Sequence, residues 1–220
     1  MTERRTIHLV DDDEAVRQSV AFLLSTYDVD VVSYPSGATF LASRADATPG
    51  CLMLDIRMPE LDGLEVQRRL TEEAFDWPVI FLTGHGDVRV AVEAMQNGAV
   101  DFIEKPFYGA RLIEAVDNAF RQFDKTNRAR RATQLLGTLS ERERQVLDAL
   151  VHGLSNKAIA RSLGISARTV EAHRAHIMAK LHADSFADVL RIALTADTGP
   201  TAIVEHERPA QVDPMVRPGP

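Results

Sequence analysis

The chain has 220 residues, 45% of them hydrophobic, and a net charge of −7, enough length and apolar content for one large or two small globular domains. Its single cysteine, Cys51, excludes an intrachain disulfide, and no apolar run approaches the ~20 residues that a membrane-spanning helix needs. The charge is divided: residues 1–124 carry 11 Lys and Arg against 22 Asp and Glu, net −11, 125–196 carry 12 against 6, net +6, and 197–220 are at −2. An acidic half beside a basic half points to nucleic acid as a partner of the second half alone.

The first half alternates apolar runs with helical patterns. Met1 to Thr6 lead into a strand over Thr6–Val10 with no signal-peptide core between, which predicts a cytoplasmic protein. Asp13 is placed to cap a helix from Glu14 to about Ser25, with Val16, Val20, Leu23 and Leu24 on its inner face. A strand is predicted over Val29–Ser33, a helix over Gly37–Ser43 capped by Ser36, and a third strand over Cys51–Leu54, where Cys51 reads as a small core residue. Then come a helix over Gly63–Glu72, a strand over Pro78–Leu82, a helix over Asp87–Asn97 closed by Gly98, a fifth strand over Val100–Ile103 and a long helix from Gly109. This βα alternation predicts a parallel five-stranded sheet with right-handed crossovers. Polarity rises from Arg121 to Arg131, which reads as a partly helical linker.

The second half has no strand signal. Ser140 and Glu143 form a capping box that opens a helix to about His152, ended by Gly153. Ser155 caps a short helix ended by Gly164, Ser166 caps a longer one over about Ala167–His182, and Asp184 opens a last one to about Ala196. From Gly199 onward the chain is rich in Pro and short of apolar residues, so 199–220 is expected to be a disordered tail.

Chemistry gathers at predicted strand ends. Asp11, Asp12 and Asp13 follow the first strand and Asp55 the third; carboxylates so close repel unless a hard cation such as Mg²⁺ sits among them. Thr83 follows the fourth strand and Lys105 the fifth. Metal-holding acids, a carboxylate nucleophile, a hydroxyl and a lysine together suit phosphoryl transfer. Asp13 is assigned to helix capping.

The segments Val10-Asp11-Asp12-Asp13-Glu14, Asp55-Ile56-Arg57-Met58-Pro59-Glu60-Leu61-Asp62-Gly63, Thr83-Gly84-His85-Gly86 and Lys105-Pro106-Phe107 resemble the receiver domain of two-component response regulators, in particular the FixJ-type subclass. The resemblance implies a flavodoxin-like α/β fold over 1–124 and makes Asp55 the phosphoacceptor. It implies that Asp12, Asp55 and the backbone carbonyl of Arg57 ligate Mg²⁺, with Asp11 acting largely through water. Thr83 and Lys105 would engage the phosphoryl group, the Lys105–Pro106 peptide would be cis, and Phe102 would be the aromatic switch. The helix from Asp87 and the strand from Val100 would form the surface that changes, with dimerisation there on phosphorylation.

In the second half, Leu139 to Leu147, Gly153 to Ala160 and Leu163 to Arg174 resemble the LuxR-type helix-turn-helix. Ala158, Ile159, Leu163, Ile165, Val170 and Ile177 read as its core, and the Gly164 turn lets the N-terminal half of the next helix enter a major groove. Lys157, Thr169 and Lys180 are candidate phosphate contacts; Arg168, Glu171, His173 and Arg174 are candidates for base or phosphate, with Val170 in the same segment. The expected organisation is a receiver over 1–124, a helical linker over 125–138, an all-α four-helix DNA-binding domain over 139–198, and the tail. The implied partners are a sensor histidine kinase, promoter DNA, RNA polymerase and a second copy of the chain, with no membrane. Two rival readings are weaker. An Mg²⁺-dependent phosphohydrolase would place a general acid two residues beyond the nucleophile, where this chain has Arg57. A small-amphiphile sensor would need a ligand pocket in place of the acidic site.

Overall fold

The computed structural model describes residues 5–84 and 88–197. It divides into two compact units, 1–127 and 128–220. In the first, β1 (Arg5–Val10), α1 (Glu14–Leu24), β2 (Val29–Tyr34), α2 (Gly37–Ser43), β3 (Cys51–Asp55), α3 (Gly63–Glu72), β4 (Val79–Thr83), α4 (Val88–Gln96), β5 (Asp101–Glu104) and the start of α5 (Gly109–Gly137) follow one another; a 3-10 turn at Arg44–Asp46 separates α2 from β3. The sheet is parallel throughout, in the order β2-β1-β3-β4-β5.

Both sheet faces are covered, which is why β3 and β4 read as unbroken apolar runs instead of alternating. Ile7, Leu9, Cys51, Met53, Ile80 and Leu82 pack with Val20 and Leu24 of α1 and Leu112, Ala115 and Phe120 of α5. Leu52, Leu54, Val79 and Phe81 point the other way, onto Phe40, Val66, Leu70 and Ala94. Burial holds the Cys51 thiol far above its usual pKa, so it is an inert core residue, as expected.

Asp13 and Ser36 cap their helices as expected, and Asp62, not anticipated as a cap, closes the start of α3. Asp13 Oδ1 accepts from Ala15 N at 2.8 Å, Asp62 Oδ1 from Glu65 N at 2.8 Å, and Ser36 Oγ from Thr39 N at 3.2 Å. Gly98 closes α4 with φ +89°; Ala99 N donates to Ala94 O and Gly98 N to Met95 O, the paired bonds of a Schellman motif. Helix α4 starts at Val88, and Asp87, its expected first residue, lies outside the described residues with His85 and Gly86.

The second unit contains α6 (Glu141–Val151), α7 (Asn156–Leu163), α8 (Ala167–Lys180) and α9 (Phe186–Asp197). The Ser140–Glu143 capping box is complete, and Gly164 takes the left-handed conformation, φ +65°, between α7 and α8. Three details differ from the sequence reading. Helix α8 stops at Lys180, because His182 turns to φ +51°. The start of α9 is capped by Ser185, whose Oγ accepts from Asp188 N at 3.2 Å, with Asp184 lying before it. In α7 Ala160, not Ala158, joins Ile159 in the fully buried core.

The predicted linker is wholly helical through Gly137, an uninterrupted extension of α5. The expected tail over 199–220 lies outside the described residues.

Candidate phosphate site and nucleic-acid interface

The parallel sheet delivers the C-terminal ends of β1, β3, β4 and β5 to one edge, where open α/β sheets carry their sites. Asp11 and Asp12 follow β1 there, Asp55 and Thr83 are the last residues of β3 and β4, and Lys105 follows β5. Carboxylate oxygens of Asp11, Asp12 and Asp55 lie within 4.8 Å of one another. Asp11 and Asp55 are buried and Asp12 is exposed, so the cluster opens to solvent on one side. Lys105 Nζ bridges the two buried acids, donating to Asp11 Oδ2 at 2.6 Å and to Asp55 Oδ1 at 2.7 Å. Its backbone N–H donates to Thr83 O at 2.6 Å, which ties the lysine segment to the end of β4, and the Lys105–Pro106 peptide is cis, as the resemblance implies.

Electrostatics follow from this crowding. Burial pushes the Asp55 carboxyl above its ordinary pKa; Lys105 pulls it back down, and the Asp11 and Asp12 charges raise it further. For Lys105, burial alone would lower the pKa, but its bonds to Asp11 and Asp55 outweigh that and hold it above the usual value. Three carboxylates so close supply hard, negatively charged oxygen donors and one solvent-facing side, the donor set that suits Mg²⁺ with retained waters. The residues present therefore fit the metal that the resemblance implies.

Thr83 is buried beside this cluster, Arg57 is exposed just beyond Asp55, and Phe102 is half-buried against the core on the α3–α4 side of the sheet. Two supports were not anticipated from the sequence. Arg17 Nη1 donates to the carbonyls of Asp11 and Asp12, at 2.7 and 3.0 Å, and so shapes the acidic loop; its place four residues after Asp13 was the available signal. Gly63 lies so close under β3 that a Cβ there would sit 2.3 Å from the carbonyl oxygen of Asp55.

In the second unit, Ser166 Oγ accepts from Thr169 N at 3.0 Å and fixes the start of α8. Arg168, Thr169 and Glu171 are exposed on its first turns, and Lys157 is exposed on α7. His173 is half-buried. Val170 is fully buried with Val146, Ile159 and Ile177, so it shapes the helix packing and offers no side chain to DNA, contrary to its place among the candidate contacts. Two other candidates are engaged within the fold. Arg174 Nη1 donates to Asn156 Oδ1 at 3.0 Å while its guanidinium lies 4.9 Å from the centre of the Phe186 ring. Lys180 Nζ donates to Glu143 Oε2 at 2.6 Å. Spacing along one helix does not show such links, because Asn156, Glu143 and Phe186 belong to other helices.

Comparison with known proteins assigns each unit to a family. Residues 7–117 match the family described as response regulator receiver domain, and 137–193 match bacterial regulatory proteins of the luxR family. The transcriptional regulatory protein FixJ of Rhizobium meliloti is 48% identical over 203 residues, covering 89% of this chain and 98% of that protein. The tetrathionate response regulatory protein TtrR of Salmonella typhimurium is 41% identical, over 84% of this chain and 90% of its own. Among solved structures, the response regulator StyR aligns with a TM-score of 0.67 at 37% identity, covering 87% of this chain and 98% of StyR. Full-length FixJ from B. japonicum aligns with a TM-score of 0.56 at 41% identity, covering 89% and 98%. With a receiver-type acidic site on one unit and a LuxR-type helix-turn-helix in the other, the chain belongs to the FixJ-type two-component response regulators.

Proposed function

We propose that Asp55 is the phosphoacceptor, and that its phosphorylation by a sensor histidine kinase converts the chain into a dimer with raised affinity for promoter DNA. The observation that carries this is the Lys105 ammonium held between Asp11 and Asp55 at the open sheet edge. A carboxylate oxygen of Asp55 attacks the phosphorus of a phosphohistidine. The P–N bond breaks as the P–O bond forms, and the imidazole leaves with the bonding electron pair. Lys105 then exchanges its bond to Asp55 for one to the transferred group, and the Thr83 hydroxyl donates to another phosphoryl oxygen. Asp12, Asp55 and the Arg57 carbonyl, with Asp11 acting largely through water, would hold Mg²⁺, which when bound would neutralise charge on the phosphoryl oxygens. Phe102 turns inward behind Thr83, which alters the face formed by α4 and β5.

The domain assignment follows: receiver 1–124, linker 125–138, DNA-binding domain 139–198 and tail 199–220. Arg168 and Glu171 on α8 read base edges, while Thr169 and Lys157 contact phosphate. Bound at a promoter in the cytoplasm, the dimer engages RNA polymerase and activates transcription.

The test is DNA affinity and oligomeric mass of wild type and Asp55→Asn, each with and without acetyl phosphate and Mg²⁺. Dimerisation and tighter binding are expected in wild type alone. An equal response in both proteins would exclude Asp55 as the switch, and no response in either would exclude phosphate control.

A further inference from the structure

Helix α4 is held unevenly. Its one fully buried residue is Ala94, in the last turn, while Val88 at its start is 75% exposed. The end facing the phosphate site is joined to Thr83 through residues 84–87. Beyond the other end, Val100 N donates to Val79 O at 2.8 Å, which fastens the following residue to the sheet.

At that fastened end sits Gln67 of α3, which is 2% exposed. Its Nε2 donates to Ala94 O and to Asn97 O, both at 3.2 Å. Carbonyls only accept, so the amide has one allowed orientation, with its nitrogen towards α4. Oε1 is then left buried without a hydrogen-bond partner among the described residues. A buried acceptor left so is unfavourable, and an apolar side chain of the same size would avoid it. Ala94 O already accepts from Ala99 N, so it does not depend on Gln67 for a donor. The side chain is therefore poorly explained as a device for stability alone and well explained as a link between α3 and the end of α4.

We infer that Gln67 is a positioning residue that pins the C-terminal end of α4, so that phosphorylation of Asp55 swings the helix about that end. The inference rests on the proposed phosphorylation of Asp55. A pinned end turns a displacement near Thr83 into a rotation of α4, which re-aims the exposed Val88, Val92 and Met95 together. With the pin removed, the same displacement is lost in local fraying of the last turn.

The experiment uses the full chain and Gln67→Met, which keeps side-chain length and removes the donor. Intact mass after acetyl phosphate and Mg²⁺ reads Asp55 phosphorylation, and hydrogen exchange reads the amides of 88–100. The expected result is phosphorylation within about twofold of wild type. The phosphorylation-linked gain in DNA affinity falls at least about fivefold, and exchange over 97–99 speeds up about tenfold, as local opening becomes easier. An undiminished gain with unchanged exchange over 97–99 overturns the inference. Wild type gives a check that does not depend on the variant: on phosphorylation, exchange should change over 88–92 and stay constant over 97–99. A change at 97–99 of equal size overturns the pin. Failure of wild type to become phosphorylated would count against the proposed function, while the comparison of exchange without phosphate still decides whether Gln67 secures α4.

Discussion

Lys105→Ala gives the sharpest view of how this site balances stability against chemistry. In the folded chain the ammonium holds two buried carboxylates 2.6 and 2.7 Å away, and its side chain is 19% exposed. Removing one partner of a buried ion pair costs ~3–5 kcal/mol, because the remaining charge has no compensation. Here two acids would face each other, but the open side admits water, so a loss of about 2 kcal/mol is the reasonable figure. With a urea dependence of ~2 kcal/mol per molar, the unfolding midpoint should fall by about 1 M. Trp77 is the only tryptophan, and its ring centre lies 4.7 Å from His8 and 4.6 Å from Phe75 in the first unit, so its fluorescence follows that unit. Millimolar Mg²⁺ should narrow the gap, since a dication among the acids supplies the missing positive charge and binds the folded state alone. Adding Asp55→Asn to Lys105→Ala should also recover much of the loss, because one of the two opposed charges is gone. Equal midpoints for wild type and Lys105→Ala without Mg²⁺ would refute the reasoning, for then the carboxylates do not need the lysine.

In the second unit, the Lys180 ammonium and the Ser140 backbone hold the Glu143 carboxyl at about 2, so its contribution is complete above about 4.5 and is lost as pH falls towards 2. Lys180 is 41% exposed, so Glu143→Gln should cost only ~1–2 kcal/mol at pH 7, with a difference that shrinks as pH drops from 4.5, measured by urea titration of the helical circular dichroism. A pH-independent difference would mean that packing, not charge, is responsible. At Gly63 a Cβ would sit 2.3 Å from Asp55 O, so Gly63→Ala should displace the β3 end, destabilise the first unit by ~1–3 kcal/mol and slow Asp55 phosphorylation severalfold by acetyl phosphate, read by intact mass. Normal phosphorylation in that variant would show that the carbonyl can move without disturbing the carboxylate.

Most of the elements were legible because local chemistry specifies them. The apolar runs, the Ser, Asp and Gly residues at helix ends and the Ser140–Glu143 box act within a few residues of themselves. The order of those elements was enough to predict the parallel sheet, and the strand-end position of Asp11, Asp12, Asp55, Thr83 and Lys105 was enough to gather them. Contacts between distant side chains were a different matter. That Lys105 bonds both Asp11 and Asp55 and that Gln67 reaches the end of α4 depend on tertiary packing. Nor does a helical motif show which polar residues remain available: Lys180 is bound to Glu143 and Arg174 to Asn156, while Val170 is core. The sequence by itself determined the elements and their chemistry, because capping, apolar periodicity and turn formation are short-range. Only the tertiary structure decided that Lys105 neutralises Asp11 and Asp55 and that Lys180 neutralises Glu143, because those partners are separated by 37 to 94 residues and meet only after the chain has folded.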